Sequence, residues 1–437
     1  MDADPGSQYA VDADPGSQYA VDADPGSRDA MDASKSASSA MSSTPAPALG
    51  STPAPALGST PAPALGSTLA AALARPARFL EATALRRPAP RGWTTPNRVL
   101  REEGAYRLRD FSREPDREQG REPDRAPSLE PGRGRGREPG LAPGPTSTPV
   151  LVVPPEVNQS YIVDFNPGQS LVRTILGAGF DRVAALEWRS ATLETSRRDI
   201  DDSIADILDC IEALGGRVHL IGVCQGGWEA AIAAALRPGA IATLTLVAAP
   251  IDFAAGQGMI RQLSAFMPMA AYRALVAAGG GRMAGDLIST GFDGLMPFER
   301  MVLGPLAVWT HLEDEAWLDR HHELADWYRS PKDLPGPLYT RAVRELFKEN
   351  RLAEGRLVVL GQLVDLGGIT CPVCLVAGSR DHITPPEQLF GARPRLGSTE
   401  VLEVLTDGGH IGTFMGKKEL AEHWPGVLAW LARERPG

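Results

Sequence analysis

Apolar and polar positions alternate in two registers over the second half of the chain. Short, mainly apolar runs of strand type recur at Val150–Val153, Arg182–Trp188, Arg217–Val223, Ile241–Ala248, Pro372–Ala377 and Glu400–Leu405. Runs of this length without a polar face predict strands buried on both sides. Between them lie stretches of helical period. In Asp199–Leu214, Ile200, Ile204, Ile207, Leu208, Ile211 and Leu214 form one stripe. Glu229–Leu236 predicts a helix directly after the third run, and Lys417–Ala432 predicts a closing helix that buries Leu420, Trp424, Val427, Leu428 and Leu431. Strand alternating with helix predicts an α/β fold, with a mostly parallel sheet covered by helices on both faces. Residues 254–360 interrupt the strand series with helical patterns carrying Trp309, Trp317, Trp327 and Phe347, as a helical cap insertion would.

The first part of the chain reads differently. VDADPGSQYA recurs with a ten-residue period around residues 11–20, and STPAPALG recurs with an eight-residue period from Ser43. These tracts have too little apolar surface to offset ordering entropy, so residues 1–67 are expected to be a disordered tail. Residues 68–90 are rich in Ala and Arg and predict a helix, Leu69–Leu85, broken by Pro76. Residues 113–147 are again low in complexity. Between 101 and 140 ten Arg face seven Glu and three Asp, which suits a solvated linker rather than a basic arm. The expected division is therefore 1–67 tail, 68–147 N-terminal segment with linker, and 148–437 catalytic domain with its cap at about 254–360.

The chemistry centres on Gly222-Val223-Cys224-Gln225-Gly226-Gly227. An apolar strand runs into a Gly-x-Cys-x-Gly turn and then into a helix. That is the context of a nucleophile elbow, with Cys where hydrolases carry Ser, and it predicts the α/β-hydrolase fold. The turn should be too tight for a Cβ at Gly222 or Gly226. A free thiol titrates near about pH 8.5, so a nucleophilic cysteine needs a base. On this fold the expected chain order is nucleophile, acid, histidine. His410, in a loop between the last strand and the last helix, is the expected base. Asp381, just after the strand Pro372–Ala377, is the expected acid, with Asp407 and Asp365 as rivals. Among the other histidines, His219 is expected to pack inside the elbow strand. His382 is expected to support the site, and His321, His322 and His423 are expected on helix surfaces. An oxyanion hole would use the backbone N–H of Gln225, with a second donor from the loop after the first strand around Val157–Asn158.

Charge and cysteine usage narrow the partners. The net charge of −10 argues against nucleic acid. Four scattered cysteines make no disulfide framework, and Cys371-x-x-Cys374 lies in an apolar run with no second pair, so neither metal nor cofactor is expected. The acidic, polar N-terminus is unlike a signal peptide, and no apolar run approaches the roughly 18 residues of a membrane span. A cytoplasmic location is expected.

These motifs together resemble one family. The elbow, Asp381-His382-Ile383 with Pro385-Pro386, and Gly409-His410-Ile411-Gly412 are similar to the nucleophile, acid and histidine motifs of the polyhydroxyalkanoate (PHA) synthases, closest to the short class III catalytic subunits. The resemblance extends to Thr95-Pro96 through Leu108, Val163-Asp164, Ser170–Arg173, Gly179, Trp188, Pro250–Phe253, Asn350, Val364-Asp365-Leu366 and Thr370–Val373. It covers about 94–112 and 148–437, with 113–147 as an insertion. It implies an acyltransferase that polymerises (R)-3-hydroxyacyl-CoA, of the 3-hydroxybutyryl-CoA type, through a Cys-linked acyl-enzyme and releases CoA. The CoA thioester is substrate, not cofactor. Cys224 would be the nucleophile, His410 the base, and Asp381 the residue that orients His410 or helps activate the hydroxyl. The resemblance implies as partners a growing polyester chain, a granule surface, and either a second subunit or a homo-oligomer. An intracellular PHA depolymerase or thioesterase-like hydrolase with the same triad, and a non-catalytic granule-bound relative, are the alternatives.

Overall fold

The wholly apolar strands are wholly buried. A computed structural model describes residues 74–85, 89, 91–112, 148–295 and 303–433. The expected disordered tail 1–67 and the linker 113–147 lie outside them. The described residues divide into two compact units, 74–85 with 303–323 and 89–295 with 324–433.

The larger unit holds an eight-stranded sheet. Its strands are β1 (Arg98–Glu102), β2 (Tyr106–Asp110), β3 (Val150–Val153), β4 (Val183–Trp188), β5 (Val218–Val223), β6 (Ile241–Val247), β7 (Val373–Gly378) and β8 (Val401–Thr406). The spatial order is β1-β2-β4-β3-β5-β6-β7-β8. Strands β3 to β8 pair in parallel, and β2 pairs antiparallel with both β1 and β4. This is the α/β-hydrolase fold expected from the elbow, and the elbow follows the fifth strand.

The strands alternate between two cores. Leu151, Val153 and Leu220 join one with Ile200, Ile204, Ile207 and Ile211 of α2 (Ile200–Ala213) and with Trp228 and Ile232 of α3 (Gln225–Leu236). Val150, Val152, Ile221 and Val223 join the other. There they meet Leu171, Val172 and Ile175 of α1 (Leu171–Gly177) and Trp424, Val427, Leu428 and Leu431 near the C-terminus. Each fully buried Ile or Leu contributes about 1.5–3 kcal/mol. Helix α2 starts in a capping box: the Asp199 side chain accepts from Asp201 N–H, and the Asp202 side chain accepts from Asp199 N–H.

Three differences from the sequence reading have physical causes. Helix α3 begins at Gln225, not Glu229, because the elbow feeds straight into it and its glycines are needed for close packing. The closing helix is two helices, Lys417–Glu422 and Trp424–Arg433, with Pro425 in the first turn of the second; a proline lacks the N–H a continuous helix would use there. Thr94–Phe111 contains the β1–β2 hairpin, which the charged pattern RVLRE and YRLRD concealed.

Between β6 and β7 the larger unit contributes α4 (Met259–Phe266), α5 (Met269–Ala278), α6 (Gly285–Leu295) and α7 (Gly336–Arg341), the last continued by a π-turn, Ala342–Lys348.

In the smaller unit residues 74–80 are helical straight through Pro76 and continue into a π-turn, Glu81–Leu85. Val308, Leu312 and Leu318 pack there with Phe79 and Trp309. His321 and His322 are not simple surface residues. The His321 ring stacks on Trp317 at 4.9 Å, and a His322 ring nitrogen lies 3.0 Å from the Ala82 carbonyl oxygen.

Candidate active site

The elbow forces Cys224 into φ 54°, ψ −119°, a region L-residues rarely visit. A Cβ on Gly222 would lie 2.4 Å from the Gly226 carbonyl oxygen, and one on Gly226 would lie 2.1 Å from that of Val153. Both positions therefore require glycine, as expected. The turn is pinned to the sheet by Cys224 N–H donating to Val247 O at 2.9 Å. Gln225 heads α3, where backbone N–H groups have no intrahelical partner.

The acid and the base arrive on neighbouring loops at the carboxyl ends of β7 and β8. Arg380 N–H donates to Gly408 O at 3.2 Å and Arg380 Nε to Asp407 O at 2.6 Å, so the two loops are tied together. His410 Nε2 lies 3.1 Å from Cys224 Sγ, and His410 Nδ1 lies 2.7 Å from Asp381 Oδ2. The other oxygen of Asp381, Oδ1, accepts from Ile383 N–H at 2.9 Å and Thr384 N–H at 2.8 Å. The Asp381 side chain is 0% exposed and that of His410 11%. Burial alone would lower the affinity of the His410 ring for a second proton, but the Asp381 carboxylate and the Cys224 sulfur together hold it well above the ordinary histidine range.

The rival acids are elsewhere. Asp407 pairs with Lys418 Nζ at 2.8 Å and is largely exposed. Asp365 closes a short turn by accepting from Gly367 N–H at 2.9 Å. His382 is exposed on the acid loop. His219 is buried in β5, with Nδ1 2.9 Å from Thr243 Oγ1. Burial pushes the thiol of Cys371 up to about 11 and that of Cys374 up to about 12, and it raises Cys210 as well, so none of the three matches a reactive setting. Among the described residues no group of three His, Cys, Asp or Glu could hold a metal ion, and no helix is long and apolar enough to cross a membrane.

Val157 is half-buried in the loop that leaves β3, and Asn158 beside it is buried. That loop is held by a polar network the sequence did not suggest. Trp188 Nε1 donates to Pro154 O at 2.9 Å, Lys332 N–H donates to Val157 O at 3.4 Å, and Lys332 Nζ donates to Ser160 Oγ at 3.0 Å and Trp188 O at 2.8 Å. Other scattered positions of the resemblance also meet. Buried Asp164 accepts from Thr95 N–H at 2.7 Å and from Ser170 Oγ at 2.6 Å, and Asn350 Nδ2 donates to Asp252 Oδ1 at 2.8 Å. These contacts position loops; they do not touch the sulfur.

The poly(3-hydroxyalkanoate) polymerase subunit PhaC of Haloferax mediterranei is 28% identical over 295 residues, 65% of this chain and 58% of the relative. That of Haloarcula marismortui is 26% identical over 66% of this chain and 62% of the relative, and that of Allochromatium vinosum 27% identical over 66% and 82%. The chain is similar to PHA polymerases. It spans under two thirds of the length of the two haloarchaeal subunits. A family described as a protein of unknown function (DUF3141) matches residues 200–396. Among solved structures, a monoacylglycerol lipase of Paleococcus ferrophilus aligns at 19% identity and TM-score 0.43, over 66% of this chain and 96% of the lipase.

Proposed function

We propose that the chain is an acyltransferase that builds a polyester from (R)-3-hydroxyacyl-CoA, of the 3-hydroxybutyryl-CoA type, through an acyl group carried on Cys224. One observation carries the reading: on a strained elbow, a sulfur, an imidazole and a carboxylate stand in a hydrogen-bonded line of 3.1 Å and 2.7 Å. Similarity to the polymerase subunits supports polymerisation over hydrolysis.

The residues divide the work as follows. The Cys224 thiol proton passes to His410 Nε2, and the sulfur attacks the thioester carbonyl, forming an S–C bond. The developing oxyanion is met by the backbone N–H of Gln225 and by a donor of the Val157 loop. The intermediate collapses, the bond to the CoA sulfur breaks, and the CoA sulfur takes the proton from His410. Thioester exchanges for thioester, so the step is close to balanced in energy. His410 then accepts the proton of the 3-hydroxyl of another acyl unit. That oxygen attacks the Cys224 thioester, an ester bond forms, and Cys224 sulfur leaves and is reprotonated. Asp381 holds the His410 Nδ1–H and stabilises the imidazolium in both halves. No metal or cofactor is required.

The partners and location in this reading are the acyl-CoA, the polyester chain and a PHA granule surface in the cytoplasm, with a second subunit or a second copy as assembly partner. Incubation of the protein with 3-hydroxybutyryl-CoA tests it. CoA release accompanied by insoluble polyester is the expected result. Release of free 3-hydroxybutyrate without polymer would instead assign a hydrolase using the same three residues.

A further inference from the structure

A second set of titratable groups lies behind the elbow, and the acyl-transfer steps leave it unused. Glu229, one turn along α3 from Gln225, is 0% exposed. Its Oε1 accepts from Gln225 Nε2 at 2.9 Å. Its other oxygen, Oε2, is buried and receives no hydrogen bond from any donor, and the group set against this carboxyl is that of Glu156, which is also buried and lies in the loop that leaves β3. Glu156 Oε1 in turn accepts from Ser203 Oγ of α2 at 2.7 Å. Three elements are thereby joined through two carboxyls.

The nearby cations are committed elsewhere. Lys332 Nζ donates to Ser160 and Trp188 O, and Arg198 pairs with Asp206. The charged groups that face the pair are Lys332, Arg198 and Asp206 on the Glu156 side and Cys224 on the Glu229 side. Two carboxylates cannot donate to each other, so a hydrogen bond between them needs a proton, and two buried negative charges in contact repel strongly. Burial raises Glu229 well above the ordinary carboxyl range and the charge of Glu156 adds to that; burial raises Glu156 too.

The placement gives the pair a use. Glu156 immediately precedes Val157, and Glu229 holds the side chain of Gln225. These are the two segments proposed to supply the oxyanion donors. They approach so closely that the Gly226 Cα faces the Val153 and Pro154 carbonyl oxygens with no room for a Cβ.

We infer that Glu156 and Glu229 share one proton and act as a positioning pair that holds the Val157 loop and the Gln225 turn at the spacing the oxyanion needs. The inference rests on the acyl-transfer reading. Loss of the shared proton at alkaline pH sets two charges against each other, drives the segments apart and lowers kcat rather than raising KM.

Two measurements on the full chain test this. The first needs no substrate: the infrared carbonyl stretch of a protonated carboxyl in folded protein above neutral pH. The parent shows the band and Glu229→Gln lacks it; a parent without the band overturns the inference. The second is CoA release from 3-hydroxybutyryl-CoA as a function of pH. Glu229→Ala loses about tenfold or more in kcat with little change in KM, as expected for a displaced donor. Glu229→Gln keeps a donor toward Glu156 with no proton to lose, so it recovers most of that kcat and its alkaline limb moves up. His410, the other titrating group beside the sulfur, is the same in both proteins. An alkaline limb at the same pH in parent and Glu229→Gln, or a Gln variant as slow as the Ala variant, overturns the inference. A parent that shows the band but releases no CoA counts against acyl transfer while supporting the shared proton.

Discussion

Replacing Asp381 with Asn tests how the imidazole is held. The substitution keeps size and shape, and the loop decides which way the new amide faces. Asp381 Oδ1 accepts from two backbone N–H groups, Ile383 at 2.9 Å and Thr384 at 2.8 Å, so the amide oxygen must stay there. The amide NH2 then replaces Oδ2, 2.7 Å from His410 Nδ1. A donor facing Nδ1 moves the ring proton to Nε2, where it points at Cys224 Sγ, and the ring can no longer accept the thiol proton. The variant loses a charge-assisted hydrogen bond, about 1.5–3 kcal/mol, and must break a neutral one of about 1 kcal/mol to regain the working tautomer. The sum of about 2.5–4 kcal/mol corresponds to a loss of about 10²–10³ in the rate of Cys224 acylation. Stopped-flow release of CoA from 3-hydroxybutyryl-CoA in a single turnover measures it, with a denaturation curve to show that the variant is folded. A folded Asp381→Asn protein that acylates within about threefold of the parent would refute the assigned role.

Two further substitutions probe the scaffold. Gly226→Ala places a Cβ 2.1 Å from Val153 O, a contact between two backbone segments that no side-chain rotation relieves; it should destabilise the chain by about 1–3 kcal/mol and slow acylation, and an unchanged urea midpoint would contradict the packing argument. Burial pushes Lys332 down from 10.5 to about 7, against the pull of Glu187 and Glu156. The folded chain thus holds fewer protons than the unfolded one between those values, and this group's contribution to stability rises as pH climbs from about 7 toward 10.5. In Lys332→Met that contribution is absent, so the parent should gain on the variant by more than about 1 kcal/mol across the window. A stability difference independent of pH would show that Lys332 titrates normally.

Much of this site was legible because its signals are local. The strands β3, β5, β6 and β7 are mainly apolar and buried along their whole length, as a sheet covered on both faces requires. The elbow glycines announce a turn with no room, and Asp381 and His410 each follow a strand in the expected order. The hairpin β1–β2 was hidden because Arg98, Arg101, Arg107 and Arg109 read as solvated charge; long arginine side chains cover a sheet edge without an apolar pattern. Glu156, Glu229 and Lys332 were missed for a related reason. A charged residue in a loop or helix reads as surface, and only the tertiary structure brings these three into one buried network. The break before Trp424 did carry a signal, Pro425, which the strong apolar stripe of the closing segment outweighed.

The most direct test is chemical. The protein is mixed with 3-hydroxybutyryl-CoA, quenched within a turnover and weighed intact, then digested to locate the added mass. One hydroxybutyryl group on Cys224 in the parent, with neither adduct nor CoA release in Cys224→Ala, is the predicted result. An adduct on another residue, or undiminished CoA release after Cys224→Ala, would contradict the account.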